Sequence, residues 1–231
     1  YDSARGQTVL FGGLDGFQDE LGDTWEFGGG EWTQRSTSGP SPRFGHAMAH
    51  DASRGATALF GGYHYNMQTS DGKTWEWDGA VWTLRATTGP GPRSGHAMAF
   101  DNTRRLTVLF GGLGGPRNGD TWGWDGSEWT LLATEGPSPR SGHAMAYDSI
   151  RSVVVLFGGD DGQGDRETWE WDGSTWRMRS NSGPQAGPLR SMAFDSLRGV
   201  TVLFGGGETW EWNGDNWTLR STNGPALGDR H

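Results

Sequence analysis

Thr168-Trp169-Glu170-Trp171-Asp172-Gly173-Ser174-Thr175-Trp176 is the stretch whose reading decides the fold, because its frame occurs five times. The frame, Thr-Trp-x-(Trp/Phe)-x4-Trp, returns at Trp25, Phe27 and Trp32, at Trp75, Trp77 and Trp82, at Trp122, Trp124 and Trp129, and at Trp210, Trp212 and Trp217. All 14 tryptophans of the 231-residue chain fall in it, and Phe27 holds the one remaining aromatic slot. A bulky side chain used periodically builds an architecture, whereas a single active site needs it once.

A longer unit surrounds the frame. Its fullest form is Gly136-Pro137-Ser138-Pro139-Arg140-Ser141-Gly142-His143-Ala144-Met145-Ala146-Tyr147-Asp148, then Val153-Val154-Val155-Leu156-Phe157-Gly158-Gly159, a loop, and the tryptophan frame. Gly-Gly pairs begin at Gly12, Gly61, Gly111, Gly158 and Gly205, a period of 47 to 50 residues. Each period reads as four short strands, here a (as in HAMAYD), b (TVLFGG), c (TWEWDG) and d (WTLRS), with 41 glycines and 10 prolines to supply the turns between them. Four strands at this spacing make a propeller blade, so the chain is expected to be all-β: one propeller domain, 1–231, with repeats at about 1–40, 41–90, 91–137, 138–184 and 185–231.

Bulk composition narrows the function. Hydrophobic residues make up only 32% and mean hydropathy is −0.69, yet 14 Trp and 10 Phe supply core area that a residue count understates. The net charge of −9 leaves no electrostatic footprint for nucleic acid or an anionic membrane, and no stretch has the length of a membrane-spanning helix. Lysine occurs only at Lys73 against eighteen arginines, which points to planar, bidentate guanidinium roles. The absence of cysteine excludes disulfides and thiolate metal sites. An extracellular or cell-surface setting is expected, with any export signal outside these residues.

The apolar run ending in Gly-Gly and the spaced aromatic pair resemble the kelch repeat, and the likeness recurs along essentially the whole chain. That resemblance implies a kelch-type β-propeller, similar to bacterial kelch proteins and to the central domain of galactose oxidases. It departs at the fourth d–a segment, where Gly187-Pro188-Leu189-Arg190 replaces Arg-x-Gly-His. Tyr1-Asp2 matches Tyr147-Asp148, and Gly224-Pro225 matches Gly136-Pro137, so the repeat phase nearly meets at the two ends, short by about one inner strand. This favours five blades closing into a ring over five out of six or seven.

Residues present in every copy read as scaffold. Asp-x-x-Arg recurs at Asp2/Arg5, Asp51/Arg54, Asp101/Arg104, Asp148/Arg151 and Asp195/Arg198, where Asp can cap the a–b turn and Arg can reach back to it. Four copies pair a glutamate on strand c with an arginine on strand d, at Glu26/Arg35, Glu76/Arg85, Glu170/Arg179 and Glu211/Arg220. The third has Gly123 and Leu132, so both partners are lost together. The expectation is that positions 26 and 35 lie directly opposite, with Trp25, Phe27, Trp32 and Gln34 on the other face, and that the ion pairs are covered by indoles of neighbouring blades. Arg43/His46, Arg93/His96 and Arg140/His143 are placed on strand a near the axis and read as structural hydrogen-bonding residues.

The b–c loops differ most among copies: residues 14–23, 63–73, 113–120, 160–167 and 207–208. They should emerge on the same face as the d–a loops, and variation on a constant scaffold is where recognition is placed. Tyr63, His64, Tyr65 and Asn66, with Phe17, Arg117 and Asn118, are the candidate ligand-binding residues, suited to a protein or glycan through stacking and amphipathic hydrogen bonding. Asp160, Asp161 and Asp165 form an acidic cluster that could hold calcium, although the spacing matches no dedicated calcium loop. No cofactor is expected. The tyrosine–cysteine crosslink of galactose oxidases cannot form without cysteine, and no catalytic constellation stands apart from the repeat. The expected function is a non-catalytic recognition propeller. A structural or engineered repeat propeller without a ligand, and a substrate-binding propeller of a carbohydrate-active enzyme, remain open beside it.

Overall fold

The computed structural model describes residues 1–17, 19–162, 166–185, 187 and 190–224. It is all-β, and no helix among the described residues is long and apolar enough to cross a membrane. The first blade holds β1 (Thr8–Leu14), β2 (Glu20–Gly28) and β3 (Glu31–Ser36). The second holds β4 (Ala47–Asp51), β5 (Ala56–Phe60), a small loop hairpin of β6 (Tyr63–His64) and β7 (Thr69–Ser70), then β8 (Thr74–Trp77) and β9 (Trp82–Ala86). The third is β10 (Ala97–Asp101), β11 (Leu106–Phe110), β12 (Thr121–Trp124) and β13 (Trp129–Ala133), and the fourth is β14 (Ala144–Asp148), β15 (Val153–Phe157), β16 (Thr168–Trp171) and β17 (Trp176–Ser180). The fifth is β18 (Ser191–Asp195), β19 (Val200–Gly205), β20 (Glu208–Trp212) and β21 (Trp217–Ser221).

Each blade is an antiparallel meander in sequence order. Strands β4, β10, β14 and β18 lie side by side at the centre. The five blades form a ring about an axial cavity of about 370 Å³, lined at one position per blade by Tyr1, His50, Phe100, Tyr147 and Phe194. Among the described residues the first blade has three strands plus an Asp2–Gln7 bridge at its inner edge, one inner strand fewer than the other blades. Strand b reads as an unbroken apolar run because other blades cover both its faces; every residue of β5 is buried.

The Asp-x-x-Arg turns behave as expected. Asp51 Oδ1 accepts the Ser53 and Arg54 N–H groups, at 2.9 and 3.2 Å, while Arg54 Nε donates to Oδ2 at 2.6 Å. The same arginine goes further, donating through Nη2 to Glu76 Oε1 at 2.7 Å, so the two recurrent Asp/Arg and Glu/Arg patterns are one network. Arg85 Nε reaches Glu76 Oε2 at 2.9 Å, and Trp124 Nε1 of the next blade donates to Oε1 at 2.9 Å. The expected register is off by two residues. Glu26 lies opposite Thr33 and Glu76 opposite Thr83, because a bulge between Thr24 and Trp25, or Thr74 and Trp75, takes up the arginine position. The ion pair forms regardless, Arg35 Nε meeting Glu26 Oε2 at 2.8 Å from the bulge. Trp25, Phe27, Trp32 and Gln34 do share the other face, paired Trp25↔Gln34 and Phe27↔Trp32. In the third blade Leu132 packs against Gly123, and Arg104 turns instead to the carbonyls of Ser152 and Asp172.

Three contacts join consecutive blades. The second tryptophan donates to the preceding blade's glutamate: Trp77 to Glu26, Trp124 to Glu76, Trp212 to Glu170, at 2.9 to 3.1 Å. The third tryptophan donates to the preceding Thr-Trp threonine: Trp82 to Thr24, Trp129 to Thr74, Trp176 to Thr121, Trp217 to Thr168, at 2.7 to 2.8 Å. The same indole meets the preceding blade's strand-b phenylalanine edge-on, as Phe60 and Trp129 do at 5.2 Å. Trp77, Trp124, Trp171 and Trp212 are fully buried, each gaining roughly 5 kcal/mol of gross hydrophobic stabilisation.

Candidate functional site

The b–c and d–a loops do share one face, tied by short bridges: Phe44 with Tyr63, Ser94 with Leu113 and Ser141 with Asp160. The Gly-Gly pair makes this possible. Gly61 and Gly62 have φ of +68° and +106°, and a Cβ on Gly61 would lie 2.5 Å from the Arg93 carbonyl oxygen of the next blade. The chain therefore turns outward where the neighbouring entry segment comes closest.

Buried arginines fix the bases of these loops. Arg43, Arg93 and Arg140 each donate through Nη1 to the first Gly-Gly carbonyl, at 2.8 to 3.0 Å. Each also holds an acid at the loop's end: Asp71 at 3.1 Å, Asp120 at 2.7 Å and Glu167 at 2.9 Å. Burial pushes the Asp71 and Asp120 carboxyls up, but the arginines and nearby N–H donors outweigh it and hold both below the usual range. These arginines and the adjoining histidines were expected on strand a; they precede it, strand a of the second blade starting at Ala47. His96 and His143 are buried and His46 half-buried, and they meet Phe60, Phe110 and Phe11 edge-on at 5.5 Å. Burial, then the adjacent arginine, lowers His46 to about 4 and His143 to about 3, so both are neutral. Among the described residues no three His, Asp or Glu side chains converge as a metal site.

The candidate residues divide. Tyr63 packs edge-on against Phe44, ring centroids 5.6 Å apart. His64 is buried, its Nδ1 2.8 Å from the Pro42 carbonyl and its Nε2 3.4 Å from Asp71 Oδ2. Both hold the loop in shape. Tyr65 and Asn66 are exposed at its tip, and the Tyr65 N–H reaches across to the Glu20 carboxylate of the first blade. Phe17 is 89% exposed. Arg117 bridges to the neighbouring loop through Asp160, at 2.7 Å. Asn118 is half-buried, its Nδ2 donating to the Gly112 carbonyl at 3.3 Å. In the acidic cluster, Asp160 is engaged by Arg117 and Asp161 accepts from Ser138 Oγ at 2.9 Å, while Asp165 lies outside the described residues.

Two grooves open on this face. One, of about 520 Å³, lies between the second b–c loop, with His64, Met67 and Lys73, and the d–a segment at Thr88 and Pro90. Its counterpart in the third blade, about 460 Å³, runs between Arg117, Asn118 and Asp120 and the segment holding Glu135 and Pro137. The d–a walls escaped the sequence reading because their Gly-Pro frame is constant. The signal was the residue before it, which is Ser38, Thr88, Glu135, Ser182 and Asn223 in turn.

No family model matches the chain, and the comparison with curated proteins finds no match. Solved structures do match, among them the structure of YjhT, with a TM-score of 0.74 at 12% identity over 94% of this chain and 81% of that one. At that identity the likeness concerns the fold alone.

Proposed function

We propose that the chain is a kelch-type recognition propeller that binds a protein or glycan through its b–c loop face. The observation that carries this reading is the contrast within that face. Buried arginines clamp the loop bases, while Phe17, Tyr65 and Met67 stand more than half exposed at the tips of adjoining loops. Isolated exposed apolar residues need no explanation, but three large ones on neighbouring loop tips beside a groove suit a contact surface. The apolar Phe17 and Met67 favour a protein partner, and Tyr65 with Asn66 suits sugar stacking. Such a module would work outside the cell or at its surface.

The test is capture of ligands from a glycan array and from extracellular protein extracts, comparing the native chain with Phe17→Ala/Tyr65→Ala. Both side chains are exposed, so the variant should keep the native unfolding midpoint and lose at least tenfold in affinity for whatever the native chain captures. Ligands retained at full affinity by the variant would overturn the reading, as would the absence of any ligand. Tyr63→Ala is the wrong probe, because it removes a packing contact with Phe44.

A further inference from the structure

The second blade departs from the rest at the residue two places before the first tryptophan of the frame. There Asp23, Asp120, Glu167 and Glu208 accept the indole N–H of Trp25, Trp122, Trp169 and Trp210, at 2.6, 2.6, 2.7 and 2.9 Å. In the second blade the place is held by Lys73, the one lysine of the chain. Its backbone is equivalent, since the Lys73 carbonyl accepts the Gly61 N–H just as those of Asp120 and Glu167 accept the N–H of Gly111 and Gly158. Trp75 Nε1, however, is buried and meets no acceptor among the described residues. A buried donor in that condition is costly, so an acceptor belongs beside it.

In the third and fourth blades one carboxylate serves both the indole and the buried arginine, Asp120 meeting Arg93 at 2.7 Å and Glu167 meeting Arg140 at 2.9 Å. In the second blade the two duties are separated. The arginine's acid is Asp71, already engaged by Arg43 at 3.1 Å, His64 at 3.4 Å and the Lys73 N–H at 2.7 Å. Lys73 Nζ lies 3.5 Å from the same carboxylate, yet its side chain is half-exposed. It lines the groove of about 520 Å³ together with Met67, Ser70, Thr88 and Pro90. With Asp71 matched by Arg43, the ammonium is the charge that this groove offers. The corresponding groove of the third blade is lined by Asp120 and Glu135, and its Arg117 is held by Asp160.

We propose that the second-blade groove binds a carboxylate, that of an aspartate or glutamate side chain on a protein partner, which accepts from the Trp75 indole and the Lys73 ammonium together. Hydrogen bonds to an ionised acceptor are the strong ones, and here both donors lack a carboxylate of their own. The other blades are the template. Asp120 and Glu167 show that the indole takes a carboxylate carried on a short aliphatic stem from a backbone. Met67 and Pro90 line the groove and suit the methylenes of such a stem. The third-blade groove already holds its carboxylate and should not compete. The proposal deepens the recognition reading and rests on it for the partner's being a protein; the preference for a carboxylate stands on Lys73 and Trp75 alone.

The probe is the peptide acetyl-Gly-Gly-Glu-Gly-Gly-amide with its Gln twin, followed through the indole N–H resonances of the nitrogen-15-labelled chain. Expected is saturable binding that moves one indole resonance downfield, the one missing from Trp75→Phe, with the Gln peptide about tenfold weaker or more. Lys73→Met should weaken binding by a similar factor. Lys73→Glu, which restores the acid of the other blades at an exposed position, should abolish binding and shift the Trp75 resonance with no peptide present. Equal affinity for the Glu and Gln peptides, undiminished binding by Lys73→Glu, a Trp75 resonance that does not respond, or no binding at millimolar peptide would each overturn the proposal. Glucuronate binding as tightly as the Glu peptide would overturn the assignment to a protein side chain. A captured ligand lost by Phe17→Ala/Tyr65→Ala but held at full affinity by Lys73→Glu would overturn the carboxylate pocket alone. Peptide binding that needs Lys73, in a chain that captures no ligand, would support the pocket and overturn the recognition reading.

Discussion

Among single residues, the buried histidines and glutamates carry most of the electrostatic risk. His46 at about 4 and His143 at about 3 lie well below the ordinary 6.5, first because burial disfavours the imidazolium and then because Arg43 and Arg140 repel it. The unfolded chain therefore binds more protons than the folded one below about pH 6.5. Stability from these groups is fully present above that value and is lost as pH falls towards 4 and 3. His46 alone should contribute a loss of roughly 3 kcal/mol over that interval. The guanidinium-chloride midpoint measured from pH 7.5 to 4.5 should fall accordingly, and His143→Gln should flatten the profile. A midpoint that is level down to pH 4.5 would count against buried neutral imidazoles. The glutamates test differently. Glu76 accepts from Arg54, Arg85 and Trp124, so Glu76→Ala leaves three donors facing a void and should cost about 3 kcal/mol or more. The third blade shows the remedy, since Gly123 with Leu132 fills the same space without charge. Glu76→Gly combined with Arg85→Leu should therefore cost less than Glu76→Gly alone, a coupling that a double-mutant cycle measures directly.

Between elements, the indole–hydroxyl bond is the link repeated at each sealed seam. Thr74 is wholly buried and accepts from Trp129 Nε1 at 2.7 Å, so Thr74→Val keeps the volume but strands an indole N–H. The expected cost is about 1–3 kcal/mol by urea unfolding, whereas Thr209→Val, whose partner would be the exposed Trp32, should cost far less. This asymmetry also marks what could be read in the residues beforehand. The strands and the common loop face were legible, because Trp, Gly-Gly and Asp-x-x-Arg recur at one period and each dictates a local shape. The c–d register was not, because the bulge before Trp25 inserts a residue that neither glycine nor proline announces. The links between blades were also hidden: a repeat fixes what each blade contains, but not which atoms of one blade meet the next. The arginine clamps escaped for the same reason, Arg93 and Asp120 being separated by a loop whose length changes from copy to copy.

For the molecule as a whole, the question is whether a ring of near-identical blades distributes its stability evenly. Covered on both sides, blades two to four should behave as interchangeable parts, each strand-b leucine buried to the same extent. The first blade differs, having a half-exposed leucine, a phenylalanine that cannot donate to Glu211 and, among the described residues, no strand paired with Leu10 on its inner side. Removing a buried leucine costs the transfer energy of its atoms plus a cavity, about 2–5 kcal/mol for Leu→Ala. A half-exposed one has already given up much of the first term and leaves no enclosed cavity. Leu59→Ala should therefore lower the unfolding free energy by at least 2 kcal/mol, and Leu10→Ala by less than about 1.5 kcal/mol, although the two residues hold the same place in the repeat. Hydrogen exchange should agree, with the amides of β1 opening at lower free energy than those of β5, β11 and β15. Equal costs for the two alanine variants would mean that the fifth and first blades pack as tightly as the rest.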